Sequence, residues 1–147
     1  MIPFIQILRP KNLIIVGITQ WILYQYIILA FVASPALDIV LFSLLVIDTM
    51  LIAAGGYVIN DIIDAKTDKV NKPSKTYIPS KISLKTATYY YYTLLTIGFF
   101  IAFYIAYSIN MLLLVTIYPS ACFLLSLSSA NYKISIIIGN VLVSLFV

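Results

Sequence analysis

Apolar runs long enough to cross a bilayer limit what this chain can fold into before any single residue is considered. Stretches from about Leu13 to Val32, Leu37 to Ile59, Ala87 to Ile109 and Met111 to Ser128 each approach the roughly 20 residues that a helix needs to span a hydrocarbon core. Inside lipid a backbone must satisfy its own hydrogen bonds, so such runs read as helices. A further apolar run opens at Ile134 and stops at Val147; it would rise only about 21 Å of the roughly 30 Å required. The expected fold is all-α: a polytopic transmembrane bundle of four full spans plus a truncated fifth, one membrane domain over residues 1–147. Composition agrees, because 63% hydrophobic residues, 10% charged residues and a mean hydropathy of +1.07 lie well outside the range of soluble domains. The first run lacks a small-residue cleavage site and is too long for a signal-peptide core, so it is read as a retained helix. Cys122 stands alone in an apolar stretch, which excludes a disulfide framework and leaves packing as its role.

Charge gives the orientation. Arg9 and Lys11 precede the first span; Lys66, Lys69, Lys72, Lys75, Lys81 and Lys85 follow the second; Lys133 follows the fourth. Around Ser34 to Ala36 and Ser108 to Asn110, on the opposite side, there is no Lys or Arg. The positive-inside rule therefore predicts a multi-pass cell-membrane protein with a cytoplasmic N-terminus and a cytoplasmic loop at 64–85. The net charge of +4 is accounted for in this way and calls for no nucleic-acid partner; the same lysines can meet anionic membrane lipid.

Only the segment AGGYVINDIIDAKTDKVNKPSKTYIPSKIS, residues 54–83, departs sharply from apolar helix. If the second span continues as a helix into the interface, Asp61, Asp64 and Asp68 are spaced three and four apart and share one face, with Tyr57 and Ala54 deeper on the same stripe. Clustered carboxylates at a membrane boundary repel one another and call for a compensating cation. Oxygen-only ligands favour a hard ion; magnesium uses one or two carboxylates and keeps its other positions for water and substrate phosphate. No His or Cys lies nearby to suggest zinc. Lys72, Lys75 and Lys81 follow in a stretch that Pro73 and Pro79 keep from being helical throughout, so they can fold back over a phosphate. The plain alternative makes the lysines no more than the topology signal and the aspartates a solvated helix end.

The pattern Asn60, Asp61, Asp64, Asp68, Asn71, Pro73, written N-D-x-x-D-x-x-x-D-x-x-N-x-P, resembles the first aspartate-rich motif of the UbiA prenyltransferase superfamily. Arg9-Pro10-Lys11-Asn12 is similar to the start of that family's first helix; Pro79-Ser80, Ile82-Ser83 and Gly139-Asn140 add to the likeness. The resemblance implies the front half of a nine-helix intramembrane fold. It implies an enzyme that moves a prenyl group from a polyprenyl diphosphate to a lipophilic acceptor with Mg2+. By the same resemblance Asp61, Asp64 and Asp68 coordinate the metal, Asn60 orients the diphosphate or the metal, Lys72 and Lys75 steady the diphosphate, Asn12 belongs to the substrate site, and Tyr57 lines an apolar cavity that shields the cationic prenyl fragment. Within the superfamily the motif looks closest to the branch that prenylates glycerol-phosphate ether lipids, with the aromatic quinone precursors as the other acceptor class.

Two features depart from the family. No Asp follows Asp68, so the family's second aspartate-rich motif is missing, and Ser129 occupies the place of a Tyr four residues before Lys133. A non-catalytic truncated remnant, or a subunit that pairs with a separately encoded C-terminal half, is the second reading. CDP-alcohol phosphotransfer would need a Gly and an Ala-Arg pair between its aspartates, and a transporter would need a repeat or a broken-helix pair; neither is visible. Asp48, in the second span, is a functional candidate as an intramembrane acid but is read as protonated and hydrogen-bonded through Thr49 or a neighbouring helix; Tyr89 to Tyr92 are read as an aromatic belt, and Gly55 and Gly56 as packing positions, with close approach of substrate to the backbone as their alternative.

Overall fold

The computed structural model describes residues 2–71 and 77–131. A short helix α1 (Ile2–Ile7) leads through Arg9 into α2 (Pro10–Phe31), which carries a π-helical turn at Tyr24–Ile28. Helix α3 (Ile39–Asn71) follows, then a turn over residues 77–83, then α4 (Leu84–Ser108). A 3-10 turn (Leu112–Thr116) brings the chain into α5 (Ile117–Asn131). Helices α2, α3 and α4 are long and apolar enough to cross a membrane. The expected fourth span is shorter than its apolar run. Pro119 has no N–H to offer an α-helix begun at Met111, but it is tolerated in the first turn of α5. The expected fifth span lies outside the described residues.

Helix boundaries follow from capping chemistry. Asp38 Oδ1 accepts from the N–H groups of Val40 at 3.0 Å and Leu41 at 2.8 Å, satisfying donors at the start of α3. Ser83 caps α4 in the same way, its Oγ accepting from the Thr86 N–H at 3.1 Å. Helix α4 ends where Asn110 turns left-handed at φ 56°, a conformation Asn tolerates better than most side chains. The Met111 N–H reaches the Ala106 carbonyl at 2.9 Å and the Asn110 N–H reaches Tyr107 at 3.1 Å, the paired closure of a Schellman motif.

At 33 residues, α3 is about 50 Å long. The hydrocarbon core is about 30 Å thick, so one end of α3 must project. Around its C-terminal part packs the main core: Ile7 of α1, Val58 and Ala65 of α3, Ile78 and Ile82 of the turn, and Ala87 and Tyr91 of α4. Ile7, Ile78 and Val58 are fully enclosed. Toward the other end, Tyr24 stacks on Phe42 with ring centroids 4.0 Å apart, and Trp21 packs edge-on to both. Small residues set the helix spacing, as expected of membrane bundles. A Cβ on Gly55 would come within 3.2 Å of Leu95, one on Gly56 would touch Leu125 at 3.4 Å, and one on Gly98 would overlap the Tyr118 ring. The tyrosine run divides by helical period: Tyr89 and Tyr92 face outward, while Tyr90 meets Phe4 edge-on and Tyr91 is buried, sharing a 3.1 Å hydrogen bond with Ser126. The belt reading therefore fits two of the four, because residues three apart share a face and their neighbours turn inward.

Candidate active site

Helix α3 stays unbroken through Asn71, so Asp61, Asp64 and Asp68 lie on one helical stripe. The expected loop at 64–85 is thus helical up to Asn71 and again from Leu84. Asp64 is buried, with 8% of its surface exposed, and Asp61 and Asp68 are half-buried. Asp64 and Asp68 each interact with another residue. Asn60 is half-buried beside Asp61. Lys72, Lys75 and Pro73 lie outside the described residues.

Arg9 closes over this stripe. Its Nη2 donates to Asp61 Oδ1 at 2.8 Å, and its guanidinium carbon sits 4.9 Å from the centroid of the Tyr57 ring, one turn before Asp61. Two attractions therefore hold one cation: a charge-assisted hydrogen bond and the negative face of an aromatic ring. Arg9 adopts φ 53°, ψ 61° between α1 and Pro10, a left-handed backbone that a non-glycine residue enters only against strain. Its carbonyl accepts from the Asn12 N–H at 2.9 Å, while the Asn12 residue itself is exposed in the first turn of α2. Sequence reasoning used Arg9 for topology and for the family likeness, and missed it as a site residue. The available signal was an arginine set against a proline at the mouth of the first span.

Of the expected loop lysines, Lys81 is described: it is exposed, with Nζ 5.0 Å from the Tyr77 ring centroid. Among the described residues, no three His, Cys, Asp or Glu side chains converge closely enough to hold a metal ion by themselves. The donors still fit magnesium in kind. They are oxygen only, they share one helix face, and that ion asks for one or two carboxylates rather than a closed protein cage.

Asp48 departs from expectation. It is buried, with 4% of its surface exposed, and among the described residues its Oδ1 has no hydrogen-bond partner. Thr49 Oγ1 donates instead to the Leu45 carbonyl at 2.8 Å, because a helical threonine hydroxyl reaches the carbonyl four residues back more readily than its neighbour's side chain.

Comparison with known proteins places this geometry in context. The sequence pattern of the UbiA prenyltransferase family matches residues 22–147. A digeranylgeranylglyceryl phosphate synthase of Hyperthermus butylicus is 36% identical over 98 residues, 67% of this chain and 32% of that protein. Another of the same name from Methanobrevibacter smithii is 29% identical over 141 residues, 96% of this chain and 47% of that protein. A solved structure from work on digeranylgeranylglyceryl phosphate synthase in membranes superposes with a TM-score of 0.74 at 29% identity, covering 96% of this chain and 47% of that one. The chain spans about a third to a half of the length of these relatives.

Proposed function

Because the chain belongs to the UbiA prenyltransferase family, we propose that it transfers a prenyl group from a polyprenyl diphosphate to a glycerol-phosphate lipid acceptor, at the acidic end of α3. The allylic C–O bond to the diphosphate breaks, a C–O bond to the acceptor hydroxyl forms, and the hydroxyl proton leaves. One observation carries the proposal: a single stripe of α3 bears Tyr57, Asp61, Asp64 and Asp68, and the cation of Arg9, just before the first span, already rests on Tyr57 and Asp61. One or two of Asp61, Asp64 and Asp68 would hold magnesium, which when bound would draw charge from the leaving diphosphate as a Lewis acid. Arg9 supplies a planar fork of donors suited to phosphate oxygens, with Asn60 beside Asp61; the steadying of the diphosphate by Lys72 and Lys75 rests on the family resemblance alone. The Tyr57 ring, occupied by a guanidinium, is equally suited to face a carbocation. A glycerol-phosphate acceptor is favoured over an aromatic one by the names of the relatives.

The proposal is tested with the chain reconstituted in vesicles, given labelled geranylgeranyl diphosphate and geranylgeranylglyceryl phosphate. Transfer is expected to require magnesium, and Asp64→Asn is expected to lower it by about 100-fold or more, the scale on which a transition-state-stabilising group acts. Transfer unchanged in Asp64→Asn would overturn the assignment.

A further inference from the structure

Helix α3 carries a second polar place far from the acidic stripe. Asp48 lies about 20 Å along the helix axis from Asp61 and about 140° around it. Its carboxyl lines a cavity of about 280 Å3 between α3, α4 and α5, with Leu45, Ile52, Ile105, Ile109 and Ile117 among the walls. The other hydroxyls there are already committed: Thr49 donates to Leu45, and Tyr118 donates to the Leu95 carbonyl at 2.9 Å. Among the described residues Asp48 Oδ1 is left without a partner, and no Lys or Arg lines the cavity.

A buried polar atom without a partner is destabilising, and an ionised carboxylate among aliphatic walls is more so. The neutral acid both donates and accepts one hydrogen bond. A hydroxyl does the same, so the two groups can pair reciprocally with no charge left over. The torsion that turns an Asp carboxyl is broad, so either oxygen can be presented to the cavity. The volume is small for a whole lipid and suits the polar end of an apolar chain. Leu37, Ile109 and Leu114, just outside the ends of α3 and α4 that lie away from the aspartate stripe, line the same space and extend its apolar wall.

We propose that this cavity binds the hydroxyl end of a long-chain isoprenoid or aliphatic alcohol, with the Asp48 carboxyl as its hydrogen-bonding partner. The site stands apart from the transferase reading and does not depend on it. Native mass spectrometry of the chain in detergent micelles, titrated with geranylgeraniol and with the hydrocarbon of the same skeleton, tests it directly. The alcohol is expected to bind about 10-fold more tightly than the hydrocarbon. Asp48→Asn, which keeps a donor and an acceptor, should retain that preference within about threefold. Asp48→Leu should fold, since leucine is at home in lipid, and should lose the preference. Equal binding of alcohol and hydrocarbon by the wild type would overturn the proposal. So would a preference that survives Asp48→Leu, or a long-chain primary amine that displaces geranylgeraniol at lower concentration.

Discussion

At Arg9 the backbone is left-handed, at φ 53°, and the residue lies directly before a proline, where the chain favours extended conformations. From this turn the guanidinium reaches both Asp61 and Tyr57. Strain and contact can be separated experimentally. Arg9→Ala and Arg9→Gly both remove the ion pair, which is partly exposed and contributes at most about 1 kcal/mol. Only glycine also relieves the left-handed turn, so Arg9→Gly should unfold at a free energy about 1 kcal/mol higher than Arg9→Ala in micelle denaturation. Equal stability of the two variants would show that the backbone there is not strained. The spacing of Asp61, Asp64 and Asp68 was open to a reader of the sequence because helical period alone puts them on one stripe. Their cation was not, since Arg9 lies 52 residues away and no local rule joins the two.

Among the elements, the contact of α4 with α5 is the tightest made by a small residue. Gly98→Ala drives its new methyl into Tyr118, whose hydroxyl is tied to Leu95, and should lower stability by about 1–3 kcal/mol. Gly56→Ala meets Leu125 at ordinary contact distance and should shift the same denaturation midpoint by less than about 0.5 kcal/mol. A reversal of that order would mean that α4 and α5 do not pack as described. Helix existence was legible from apolar length, but helix ends were less so. The end of α4 and the start of α5 at Ile117 are set by Pro119 and the left-handed turn at Asn110, which hydropathy does not register. The tyrosine run shows the same limit. Composition suggested a belt, whereas the helical period turned Tyr90 and Tyr91 inward to Phe4 and Ser126.

For the whole molecule, the distribution of lysines carries an expectation about sidedness. With Cys122→Ser as background, Lys69→Cys should react with a membrane-impermeant thiol reagent only from the cytoplasmic face of inverted vesicles, and Ser108→Cys only from the opposite face. Labelling of both from one face would contradict the orientation. Both positions are exposed, so access is set by the bilayer rather than by the fold. The bundle, its family and its acidic stripe could be read from residue order, whereas the cavity at Asp48 depends on how three helices meet. Helix α3 runs through all of these features as one rigid rod longer than the lipid it crosses. Such a rod works like a depth gauge: a thicker bilayer draws the aspartates down toward the acyl tails, a thinner one lifts them into water, and the composition of the host membrane becomes a control on how far water reaches them.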